Sequence, residues 1–280
     1  MKLVESFDFT QSNIQDYLDC FYRFYLRYIL RTKWPALVVE DAIKFEARGQ
    51  AGARFHRLVQ QYLAGIPEEQ LSPAAAGDPE PGISIWWENF LSHVPSWLVG
   101  EKFSEITLSA NLSDSRLVAK YDLLLIDQDH HQITIFDWKT SQKLPKKEWL
   151  MERVQTRLYR FVLAQSSQAL TRGQTFKPAD IEMVYWFADF PKNLIRLPYD
   201  ETTYQKDQSF FSTLVTEIKN RPEGSFSKTT DLKKCRYCVY RSHCDRGTQA
   251  GNLDGYEDFD MDIESAEVET DFDEIAEIKF

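Results

Sequence analysis

Between Glu101 and Lys139 the apolar residues recur with a period of two, through FSEITLSANL, RLVAKYDLLLID and, after the polar turn QDHH, QITIFDWKT. Such a period sends alternate side chains to opposite faces of an extended chain. The stretch therefore predicts three strands, the last two closing as a hairpin through residues 127–132. It restricts the fold more than any other segment because its apolar rows end in charge. Ile133, Ile135, Asp137 and Lys139 share one face, and Asp122 closes a similar run that starts at Leu117. The hairpin brings Asp122 into the neighbourhood of Asp137.

Around this block the spacing is helical. Ile14, Tyr17, Leu18, Phe21, Phe24, Tyr25 and Tyr28 predict a helix over residues 10–31, opened by Thr10 or Ser12, and Phe55, Leu58, Val59 and Tyr62 predict a second over 42–63. GIPEEQLSPAAAGDPEPG reads as a loop, and Ile85–Phe90 starts a short aromatic helix. Helices are expected again over 147–165 and 202–220, with strands at IEMVYWFA and NLIRLP between them. The class is α/β. One domain is expected over 1–250, with N-terminal helices at 10–64, a core at about 83–221 and a cysteine segment at 222–250. An apolar fraction of 43% is enough to bury one large core.

Two carboxylates in a partly apolar site repel each other unless a hard cation lies between them, and Mg²⁺ or Mn²⁺ suits oxygen ligands. A lysine beside such a cation can orient or deprotonate a water and balance phosphate charge. Taken alone, Asp137 and Lys139 are equally consistent with an ion pair at the end of a hairpin.

Further residues extend the pattern. Asp137-Trp138-Lys139 after an apolar strand, with Asp122 fifteen residues upstream, resembles the core of the PD-(D/E)xK nucleases, although Ala119 stands where that family commonly has Gly. GARFHRLVQQYL resembles the helix that carries a metal-binding histidine in the RecB-like exonuclease branch, here His56, and QTRLYRF resembles its Gln-x-x-x-Tyr helix, here Gln155 and Tyr159. The resemblance runs from about Ser12 to Cys244. It implies a restriction-endonuclease-like core, a mixed central sheet flanked by helices, with Mg²⁺ or Mn²⁺ on His56, Asp122 and Asp137. Asp122, Asp137, Lys139, Gln155 and Tyr159 are the implied catalytic residues. Glu105, in the first strand, reads as a solvated acid in preference to an extra acid near the metal.

Cys235, Cys238 and Cys244 form C-x2-C-x5-C, and Cys20 is the only other cysteine. Four thiolates complete either a zinc site or a [4Fe–4S] cluster, and spacing does not choose between them. The Tyr17-x-x-Cys20 sequence with a C-terminal triad resembles the iron–sulfur staple of AddB-type and CRISPR-adaptation exonucleases, with Phe21 where Pro is frequent. The resemblance implies the cluster rather than zinc.

The net charge of −10, averaged over the chain, argues against DNA, yet residues 251–280 hold twelve acids and one base, leaving +1 for residues 1–250. The acidic stretch is expected to be disordered. Basic stripes at Arg23, Arg27, Arg31 and at Arg153, Arg157, Arg160 suit backbone phosphates, while Trp138 or Tyr159 are candidates to stack on bases. The absence of a signal-peptide or membrane-spanning pattern points to the cytoplasm. The expectation is a metal-dependent DNA exonuclease acting on single strands or DNA ends, in repair, recombination or CRISPR adaptation, with a helicase or adaptation protein as partner. The alternative is a non-cleaving DNA-end-binding subunit on the same scaffold.

Overall fold

The structure is a computed structural model that describes residues 3, 6–33, 40–171, 173–235 and 238–246, with 40–46 described by backbone alone. The acidic stretch 251–280 and its expected disorder lie outside the described residues.

β1 (Asp8–Phe9) leads into α1 (Gln11–Asp19), α2 (Phe21–Phe24) and a π-helical turn at Tyr25–Ile29. Thr10 caps α1 reciprocally: Asn13 N donates to Thr10 Oγ1 and Thr10 N donates to Asn13 Oδ1. The single helix expected over 10–31 is interrupted at Cys20, whose backbone is extended (φ −162°, ψ 111°). Tyr22 N, at the start of the new helix, donates to Ser227 O at 3.1 Å. A carbonyl of the C-terminal segment thus takes a donor that helical continuity would have used.

α3 (Glu40–Leu63), α4 (Glu68–Ala76) and α5 (Gly82–His93) follow. α4 occupies the stretch read as a loop. Its Leu71 and Ala75, one turn apart, are buried, and that packing outweighs a composition that favours turns.

β2 (Glu101–Leu112), β3 (Ser115–Asp127) and β4 (Gln132–Lys139) are the expected strands. α6 (Lys147–Glu152) and α7 (Val154–Ser166) form the crossover to β5 (Ile181–Phe187), and β6 (Leu194–Pro198) and α8 (Glu201–Asn220) complete the core. The mixed sheet runs β1-β3-β4-β5-β6, with β2 also on β3. β1–β3 and β4–β5 are parallel, and the other pairs are antiparallel.

Each face of the sheet is covered. Tyr121, Ile133, Ile135 and Tyr185 pack in one core with Leu158 of α7 and Phe211 of α8. Leu123, Phe136, Trp138 and Trp186 pack in another with Phe55 of α3 and Trp86 of α5. This is the mixed α/β, restriction-endonuclease-like architecture expected. Among the described residues no helix is long and apolar enough to cross a membrane.

Candidate active site

The β3–β4 ladder runs from Asp127 opposite Gln132 to Leu123 opposite Phe136 and ends there. The next rung would join Asp122 to Asp137. Instead Trp138 N donates to Asp122 Oδ2 at 2.8 Å. A side chain takes the place of a backbone acceptor, so the strands fork and both carboxylates stand at the opening.

On the other edge of β3, Ser104 opposite Leu123 and Ile106 opposite Tyr121 keep one register through the same level. Phe103 and Ile106 nevertheless pack on the same core, as do Tyr121 and Leu124. Positions of opposite parity facing one core require a step in the pleat, and Glu105 has a left-handed φ of 53° at that step. Such backbone costs about 1–2 kcal/mol in a residue with a Cβ. The side chain of Glu105 is only 19% exposed, so it is not the solvated acid that alternation suggested.

α3, held on its core by Phe55 and Val59, delivers His56 from the opposite layer. His56 Nδ1 lies 3.4 Å from Asp122 Oδ1. One donor atom each from His56, Glu105 and Asp122 falls within 4.8 Å of the others. Burial works against the His56 imidazolium, but Asp122 outweighs it and holds the pKa above the ordinary histidine value. Burial likewise opposes ionisation of Asp122, and His56 and Lys139 more than offset it, keeping that carboxyl below its usual range. Burial, then Asp122, push the Glu105 carboxyl up, while Lys120, at 3.2 Å, opposes them. An imidazole with two carboxylates fits a hard divalent cation.

Asp137 is tied on the α7 side. Its Oδ2 lies 2.9 Å from Lys139 Nζ, and its Oδ1 accepts from Gln155 Nε2 at 2.9 Å. Lys139 Nζ donates to Gln155 Oε1 at 3.0 Å. Gln155 thus bridges both ends of the ion pair. The Lys139 side chain is 20% exposed and that of Asp137 2%, so the ammonium is the part that meets solvent. Sequence reasoning missed Tyr185. Its hydroxyl pairs with Thr156 Oγ1 at 2.7 Å and donates to Gln155 Oε1 at 3.4 Å, and its ring lies 5.8 Å beneath Lys139 Nζ. The register places it opposite Asp137, a non-local pairing with no local signature.

Three expectations require correction. Tyr159 and Trp138, each 2% exposed, offer no face to a base. Tyr159 packs on Tyr121, whose hydroxyl donates to Tyr159 O, and Trp138 packs among Phe90, Phe136 and Trp186. The basic stripes are largely internal: Arg23 and Arg27 pair with Asp16, Arg157 pairs with Asp207, and Arg160 donates to Thr156 O and Pro198 O.

Cys20, Cys235, Cys238 and Cys244 are free thiols lining one small cavity. Arg246 Nη1 donates to Cys235 Sγ at 2.7 Å and Thr229 N to Cys20 Sγ at 3.4 Å. Burial pushes the Cys238 and Cys244 thiols up.

No curated protein matches this sequence. Among solved structures, a protein from Eubacterium rectale described as a candidate exonuclease aligns with a TM-score of 0.48 at 11% identity, over 82% of this chain and 87% of its own. SSO0001 aligns with a TM-score of 0.38 at 12% identity, over 85% of each chain. The family model of the PD-(D/E)XK nuclease superfamily matches residues 8–245. That span contains the forked strands, His56, Gln155 and all four cysteines, and the chain belongs to the PD-(D/E)XK nuclease superfamily.

Proposed function

We propose that the protein is a metal-dependent deoxyribonuclease that degrades DNA from ends or as single strands. The observation that carries this reading is the meeting, at one strand fork, of the His56–Asp122 pair with the Asp137–Lys139–Gln155 group. His56, Asp122 and Asp137 are the ligands assigned to Mg²⁺ or Mn²⁺. When bound, the cation supplies charge against the phosphodiester and a water of lowered pKa. Asp137 and Gln155 hold the Lys139 ammonium in place. Lys139 orients the attacking water and offsets charge on the phosphate. Lys143, Lys146 and Lys147, exposed just after β4, suit backbone phosphates better than the internal arginines do.

Placement in the RecB-like and AddB-like branch, with the CRISPR-adaptation exonucleases, is supported by the order His56, Asp122, Asp137, Lys139, Gln155. Convergence of the four cysteines on one cavity supports a [4Fe–4S] cluster. Such a cluster would fasten the interrupted N-terminal helix to the C-terminal segment. Repair, recombination or CRISPR adaptation would use this activity, with unwinding supplied by a partner.

End-labelled single-stranded DNA with Mn²⁺ should be degraded by the purified protein, and undiminished activity in Asp137→Ala refutes the assignment. DNA binding without cleavage in any divalent cation would return the chain to an end-binding role. Anaerobically purified protein should be brown with about four irons per chain, whereas a colourless zinc protein ends the cluster reading.

A further inference from the structure

Resting on the metal-dependent reading above, we infer that Glu105 is a ligand of the same cation and that Lys120 is the counter-ion that holds Glu105 until the cation arrives. The donor atoms of His56, Glu105 and Asp122 lie within 4.8 Å of one another, a separation that one hard cation with oxygen ligands at about 2.0–2.6 Å can span. Asp137 stands differently. Its two oxygens are engaged by Lys139 and Gln155, so its negative charge is already matched inside the protein. Glu105 and Asp122 face the imidazole instead, with two carboxylates to one histidine.

Such a set of charges needs compensation when no cation is present, and Lys120 supplies it. Lys120 Nζ lies 3.2 Å from Glu105 Oε2. The two residues are diagonal neighbours across β2 and β3, because Thr107 stands opposite Lys120 and Ser104 opposite Leu123. The Lys120 side chain is more than a third exposed, so its ammonium can return to water at little cost when a divalent ion replaces it. Glu105 is two residues from Thr107, so strand alternation sets its side chain on the face that Lys120 shares.

The test is direct Mn²⁺ binding to the full chain without DNA, read by calorimetry and by the electron-paramagnetic-resonance signal of free Mn²⁺. Glu105→Gln keeps the size of the side chain and removes its charge. It should weaken Mn²⁺ at least tenfold, while the metal-free protein unfolds at its usual temperature. Lys120→Met should bind Mn²⁺ as tightly as the parent or more tightly, because the uncompensated Glu105 attracts the cation more strongly. Mn²⁺ affinity within twofold of the parent in Glu105→Gln overturns the inference. Equal weakening in Glu105→Gln and Lys120→Met also overturns it, since that is the signature of a structural ion pair. Should Glu105→Gln fail to fold, Lys120→Met decides: retained or increased affinity supports the inference and lost affinity overturns it. A parent protein that binds no Mn²⁺ refutes this inference and the metal-dependent reading together. The expected binding pattern in a protein that leaves DNA intact refutes the nuclease reading and leaves Glu105 as a ligand.

Discussion

The two halves of the fork are built differently. On the α7 side, Asp137, Lys139, Gln155 and Tyr185 form a mostly buried network in which the opposite charges meet each other. On the α3 side, His56, Glu105 and Asp122 are partly exposed, and their two carboxylates are matched by the imidazole and by the exposed Lys120. The first half is organised before any ligand binds, as catalytic groups need to be. The second gathers its donors from three separate elements, α3, β2 and β3. Positioning of Lys139 thus falls to the α7 layer and most of cation capture to the α3 layer, with Asp137 serving both.

The sharpest break of that comparison is Lys139→Ala. Cleavage should fall by roughly 10²–10⁴-fold, with Mn²⁺ affinity in calorimetry retained or raised because Asp137 loses its internal counter-charge; loss of both would show that the halves are one unit. Gln155→Ala should lower cleavage by about 10–100-fold, the usual effect of removing a residue that orients a site group, with a smaller loss of Mn²⁺ affinity through Asp137. Gly100→Ala probes the β2 strand that presents Glu105. Gly100 has a φ of 131°, and a Cβ there would lie 2.4 Å from Ile126 O. The substitution should cost roughly 2–3 kcal/mol in urea unfolding and loosen Mn²⁺ while sparing the Asp137–Lys139 pair. Thr10→Ala is remote from both halves. It should cost about 1 kcal/mol and alter neither cleavage by the folded protein nor metal binding.

The alternating pattern made β2, β3 and β4 legible, and with them the shared face of Asp137 and Lys139, because strand period is a local property of sequence. Glu105 was not legible. The same alternation puts it on the face away from Ile106, Leu108 and Ala110 and so reads it as solvated, whereas at this level that face meets His56 of α3, a contact made only by folding. Tyr185 was hidden for a related reason, since its place beside Asp137 depends on a parallel partner reached through a helical crossover. The arginine stripes were misread because i, i+4 spacing tells which face a side chain occupies and not what that face meets. Asp16 and Asp207 lay in plain sight, but only folding brings Arg27 and Arg157 to them. α4 was obscured by proline and glycine, whose turn preference was overridden where Leu71 and Ala75 found a core.

The bond from Trp138 N to Asp122 Oδ2 gives the molecule a reporter of its own. That amide proton points at a carboxylate assigned to the cation, so its nitrogen-15 and proton resonances will register whatever draws charge from Asp122. A single crosspeak in a two-dimensional spectrum would follow occupancy of the site in solution, without substrate and without altering any residue.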